Sequence, residues 1–121
     1  MKRLAATAAV LAAGLGVMAG PNAAPAAADS AFGCPYPYVC FYKTWNDFNA
    51  DRPTAMFKDR GWQNLGSNSR GADVAYNSRN DDAVWFKYSS GRQTCLEPSR
   101  WDGIEFEGTV TQVNIVSSAH C

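Results

Sequence analysis

From Val39 onward the chain alternates short apolar runs with polar turns, a pattern that predicts strands and no helix of convincing length. Val39-Cys40-Phe41-Tyr42 reads as the first clear strand and Ala55-Met56-Phe57 as a second, with Trp45 to Pro53 between them polar and turn-like. Trp62 to Leu65 is a brief further strand, followed by a loop of turn formers, Gly66 to Gly71. Ala83-Val84-Trp85-Phe86 is the longest apolar run after the amino-terminal segment and is rich in bulky β-formers. It predicts a central strand reached through the polar turn Asn77-Ser78-Arg79-Asn80-Asp81-Asp82. Thr94-Cys95-Leu96 opens the next strand and Pro98 to Gly103 breaks it. Two alternating stretches follow, Gly103 to Gly108 with Ile104 and Phe106 apolar, and Thr109 to Val116 with Val110, Val113 and Ile115 apolar. About eight short strands at this spacing argue for a small antiparallel sandwich or barrel. A faint repeat aligns Val39-Cys40-Phe41 with Thr94-Cys95-Leu96, each followed by a loop holding a tryptophan, Trp45 or Trp101.

The first 28 residues stand outside this pattern. Lys2 and Arg3, an Ala-rich apolar run to Met18 and the small residues Ala26-Ala27-Ala28 describe a secretory signal peptide cut after Ala28. Glycines and Pro21 interrupt the run before it reaches the roughly 20 apolar residues of a membrane span. The expected product is one secreted, extracellular domain, residues 29–121, with no membrane attachment once the signal is removed. All four cysteines, Cys34, Cys40, Cys95 and Cys121, lie in it, and an even number in a short exported chain reads as two disulfides. Three pairings are open. Cys34 with Cys40 and Cys95 with Cys121 is preferred because each bond staples one flank and closes a short loop.

Charge narrows the partners. Of eleven basic residues, Lys2 and Arg3 leave with the signal, so nine face eleven acidic ones. No basic run remains, which argues against nucleic acid and against anionic membranes. Enzyme chemistry is poorly served too. The single histidine, His120, sits beside the chain end, where a general base is badly oriented. Glu105 and Glu107 share a face at period two and are better explained as solvent-facing charges than as a glycosidase pair. A zinc site is not suggested by cysteines without a CxxC pair.

The segment Cys34-Pro-Tyr-Pro-Tyr-Val-Cys-Phe-Tyr42 is similar to the opening of a secreted actinobacterial peptidase-inhibitor family, that of the Streptomyces metalloproteinase inhibitor type. Gly61-Trp62-Gln63-Asn64-Leu65 and Asn80-Asp81 also resemble family positions, whereas Asn49 to Pro53 departs from the usual aromatic-Gly-Gly corner. The resemblance implies an all-β, βγ-crystallin-like fold, a disulfide-stabilised antiparallel Greek-key sandwich acting as a monomer. It implies inhibition of a secreted protease, a metalloproteinase of the thermolysin kind, with no catalytic residue and no required cofactor. Thr94-Cys95-Leu96-Glu97-Pro98 is similar to the family's reactive stretch, with Leu96 as the bulky residue after the contested bond; Ser99 and Arg100 stand where the type member has a further cysteine. A strand bearing a structural disulfide is the plainer account of the same residues. Crystallin-type motifs also bind calcium, and here each copy is half a site: Asn80 and Asp81 keep the acidic part and lose the hydroxyls, while the copy with Asn114 keeps the hydroxyls of Ser117 and Ser118 and loses the first acidic position. An Asx-capped turn beside a Ser-rich strand end explains these residues without a metal. The runner-up function is a non-catalytic binding module for cell-wall carbohydrate or calcium, or an antifungal toxin-like protein. Trp45, Trp62 and Trp101 on one open face would mark the carbohydrate reading.

Overall fold

The computed structural model describes residues Asp29–Cys121, so the expected signal peptide lies outside the described residues. Eight strands form two four-stranded antiparallel sheets. β1 (Val39–Tyr42), β2 (Ala55–Phe57), β4 (Val74–Asn77) and β7 (Arg100–Asp102) make the first, in the order β2-β1-β4-β7. β3 (Gly61–Asn64), β5 (Val84–Tyr88), β6 (Gln93–Leu96) and β8 (Val110–Ile115) make the second, in the order β3-β8-β5-β6. The two halves of the chain are arranged alike. In each, the first, second and fourth strands share a sheet and the third crosses to the other, β3 leaving the first half and β7 the second. β1 therefore corresponds to β5 by position, and the alignment of β1 with Thr94 to Leu96 suggested by the faint repeat is one strand out of step.

Side-chain period explains the packing between the sheets. Val39 and Phe41 of β1 and Ala75 of β4 point inward to meet Val84, Phe86 and Tyr88 of β5, Leu96 of β6, and Val110, Val113 and Ile115 of β8. Phe41 meets Phe86 edge to face at 5.7 Å, joining the sheets at the centre. The alternate residues of the first sheet, Cys40, Tyr42, Val74 and Tyr76, build a second core on its outer side with Cys34 and Phe48. The amino-terminal segment covers that side, clamped by the Cys34–Cys40 disulfide. The second disulfide, Cys95–Cys121, ties the chain end to β6. Both are the preferred pairs.

Trp45 to Pro53 is not simply a turn, because Trp45–Asn49 forms a short helix, α1. Thr44 caps it, its hydroxyl accepting the Asp47 amide at 3.1 Å while the Asp47 carboxylate accepts the Thr44 amide at 3.3 Å. Gly103 to Gly108 is not a strand either. Ile104–Glu107 is one turn of 3-10 helix, with Ile104 buried and Phe106 outside. The break expected at Pro98 to Gly103 contains β7.

The polar turn after β4 is largely internal. Asn77, Ser78, Arg79 and Asp82 are all buried. The Asn77 amide donates to the carbonyls of Asp82 at 2.9 Å and Leu96 at 3.2 Å, bridging the two sheets. Asp82 is held by Arg79 at 2.6 Å and Arg60 at 2.8 Å. Arg79 also donates to the carbonyls of Pro37 and Lys58. A carboxylate this enclosed is tolerated because two guanidiniums surround it.

Candidate binding surfaces

Strand β6 carries the segment expected to contact a protease. It is the outermost strand of its sheet, paired with β5 alone through Val84↔Leu96, Trp85↔Cys95, Phe86↔Thr94 and Lys87↔Gln93. Its other backbone edge has no strand partner, although the Leu96 carbonyl at its buried end also accepts the Asn77 amide; an unpaired edge is the geometry that accepts an added extended peptide. Alternation along β6 sends Cys95 and Leu96 to opposite faces. Cys95 meets Cys121, whereas Leu96 enters the core at 6 % exposure. Leu96 is therefore packed in the core and not presented at the surface. Thr94 is tied to Tyr88 through their hydroxyls at 2.8 Å. Beyond β6, Glu97 accepts the Cys121 amide at 3.2 Å. Pro98 is half-buried, and Ser99 takes a left-handed φ of 60°. Ser99 is fixed twice, its amide donating to the Asn77 carbonyl at 2.8 Å and its hydroxyl to Asp29 at 2.7 Å.

The residues considered for calcium are drawn only partly together. The Ala83 amide donates to the Ser118 carbonyl, which lays the end of the polar turn against the chain after β8. Asn80 and Asp81 are exposed on that turn, with Asn80 accepting from the Tyr36 hydroxyl at 3.4 Å and Asp81 lying 4.0 Å from Arg79. Ser117 is exposed, and the Ser118 hydroxyl faces the His120 carbonyl. Asn114 stands on β8 between Trp62 and Trp85 in the pairing register, away from the turn's buried carboxylate. That carboxylate, Asp82, is already neutralised by its two arginines. Among the described residues no group of three or more His, Cys, Asp or Glu side chains is placed to hold a metal.

The three tryptophans do not share one face. Trp62 lies on the second sheet, with the Lys87 ammonium 4.9 Å from its ring centre. Trp45, on α1, and Trp101, on β7 of the first sheet, meet each other instead, 6.0 Å apart with their rings at 88°. Phe48 packs beneath them, 5.2 Å from Trp101, and Phe106 flanks Trp45 at 6.5 Å. Phe106 is 78 % exposed, far beyond the other exposed large apolar residues of the domain.

Two carboxyls sit at the rim of this cluster. The Trp45 indole N–H donates to Glu105. Burial, followed by the nearby Glu105, raises the Asp73 carboxyl above its ordinary value, partly opposed by the Trp45 backbone N–H that it accepts. Glu107, by contrast, turns to Arg92 at 3.0 Å, so Glu105 and Glu107 do not act as a pair. His120 is near Glu97 at 3.9 Å and otherwise exposed. Sequence reasoning picked out Trp45 and Trp101 but not Phe106, Gly103 or Asp73. The available signal was Gly103 two residues after Trp101 and three before Phe106, a spacing that lets aromatic rings close over a residue without a side chain.

Comparison with protein-family models, with curated proteins and with solved structures finds no match.

Proposed function

We propose that this chain is a secreted, non-catalytic peptidase inhibitor on a βγ-crystallin-like scaffold, with the exposed edge of β6 and the turn that follows as its contact. The observation that carries this reading is a rigid extended edge. β6 is unpaired on one side, bonded through Cys95 to the chain end, and continued by a turn fixed at Ser99. A segment ordered before binding forfeits little conformational entropy on docking, so it can occupy a protease cleft as a substrate does. The exchange of β3 and β7 between the sheets supports the crystallin-like assignment, and the two disulfides agree with export. The target class, a thermolysin-like metalloproteinase, rests on the resemblance of Cys34 to Tyr42 and of Thr94 to Pro98.

Titration of the disulfide-bonded protein against thermolysin-like and subtilisin-like enzymes tests it. Gln93→Arg combined with Glu97→Arg, both outside the core, should weaken inhibition by about tenfold or more, the effect of losing roughly 1.4 kcal/mol at the contact. Unchanged potency removes the β6 edge as the contact, and no inhibition of either class removes the inhibitor reading. Leu96→Asp is not a contact probe, since it places a carboxylate in the core.

A second reading, a carbohydrate-binding module, is favoured by one observation. Trp62, Asn114 and Trp85 form a register row across β3, β8 and β5, so the two tryptophan backbones stand two strand spacings apart, about 9.5 Å, with an asparagine between them. Retention on insoluble cell-wall polysaccharide, lost in Trp62→Ala, would move this reading ahead.

A further inference from the structure

We infer that the aromatic corner of Trp45, Trp101 and Phe106, with Glu105 and Asp73 at its rim, binds a basic side chain of a partner protein. The corner is exposed yet built. Phe106 is 78 % and Trp101 47 % exposed, whereas Phe48 behind them is buried at 7 %. Gly103 sets the positions of the rings. A Cβ there would lie 2.9 Å from Trp45 Cζ2 and 3.0 Å from Phe106 Cε2, so only glycine lets the two rings close over the backbone. Three aromatic side chains are thus packed on one another and on Phe48, with Trp101 and Phe106 left exposed at the surface. Unassisted exposure of such an apolar group marks an interaction site.

The chemistry around the corner identifies the occupant. Trp45 and Trp101 pack edge to face, 6.0 Å apart at 88°, so they do not form the coplanar platform on which sugar rings stack. The rim is acidic, with Glu105 accepting the Trp45 indole N–H and Asp73 beside Glu105. Among the described residues no ion pair reaches either carboxyl. The neighbouring cation, Lys43, donates to the carbonyls of Ser67 and Arg70 and acts on Asp73 only through its field, without an ion-pair contact. Aromatic faces attract cations through their quadrupole, and a carboxylate at the rim adds a direct charge partner. A second copy of the chain would bring like-charged rims together, which disfavours self-association through this face. An arginine or lysine satisfies both the rings and the rim.

Tryptophan fluorescence titration of the disulfide-bonded protein with blocked tripeptides centred on arginine, lysine or citrulline tests the inference. Saturable binding of the arginine or lysine peptide is expected, with the neutral citrulline peptide weaker by about tenfold. Trp101→Ala and Phe106→Ser should each weaken the basic peptide by a similar factor while leaving thermal unfolding cooperative. Glu105→Gln should lessen the salt dependence and keep an acceptor for the Trp45 N–H. Absence of saturable binding of either basic peptide, or equal affinity for citrulline, overturns the inference. So does sedimentation showing a dimer that Phe106→Ser dissolves, or polysaccharide retention abolished by Trp101→Ala. None of these variants touches β6, so inhibition and this binding fail or succeed separately.

Discussion

The two sheets answer the same problem in opposite ways. In the first, every residue of β1 and of β4 is buried, because the amino-terminal segment and α1 cover the side turned away from the second sheet. In the second, β5 follows the alternation buried, half-buried, buried, and the outer side meets solvent. A strand covered on both sides needs apolar or hydrogen-bonded groups at every position, whereas one covered on a single side carries polar groups at every other one. The difference teaches that a sheet and its covering segment act as one unit. Tyr42 shows it, its hydroxyl donating to the Phe32 carbonyl at 2.7 Å from inside the outer core.

The comparison can be broken by substituting each outer side. Phe48→Ala removes a ring that touches Phe32, Tyr42, Trp45 and Trp101 and should cost about 3 to 4 kcal/mol, read as a lower denaturation midpoint with an unchanged slope. Trp62→Ala on the open side removes a half-exposed ring and its Lys87 contact and should cost about 1 kcal/mol or less. A smaller loss in Phe48→Ala than in Trp62→Ala would contradict the description of the outer core. Replacing Cys34 and Cys40 together by alanine opens the clamp on the covering segment. The six-residue separation predicts a loss near 2 kcal/mol from chain entropy, and the burial of both residues adds to it. The finest test is a pH profile. Because the folded-state value of Asp73 is raised above its unfolded one, its contribution to stability is present below the ordinary 3.8 and is lost as pH rises through the folded value. Asp73→Asn should flatten that decline, and an unchanged profile from chemical denaturation at several pH values would remove Asp73 as its source.

Period two made only part of the second sheet legible. Val110, Val113 and Ile115 were readable as the apolar entries of an alternating strand, whereas Val84 and Phe86 sat in the unbroken apolar run Ala83 to Phe86, where Trp85 hides the alternation. The spacing of three between Val110 and Val113 fits a register shift opposite Lys87 and Tyr88. What was lost follows from context. Ile104 and Phe106 alternate with glutamates as a strand would, yet only four residues stand between Gly103 and Gly108, and a 3-10 turn satisfies them locally. Thr44 and Asp47 at capping-box spacing do announce α1, but five residues are too few for a periodic signal. Leu96 looked like a bait residue beside a cysteine because sequence does not say which side of β6 faces inward. Asn77, Arg79 and Asp82 were read as part of a polar turn, and their burial was not legible because it depends on Arg60, Pro37 and Lys58 from distant segments.

The reciprocal crossing of β3 and β7 has one more outcome. Neither half of the chain is a self-sufficient module, for each would be left with a three-stranded sheet and a stray ribbon belonging elsewhere. A gene fragment encoding residues 29–77 alone would yield a bare sheet flank without its lining. The whole domain is thus the smallest unit in which every strand finds its own sheet.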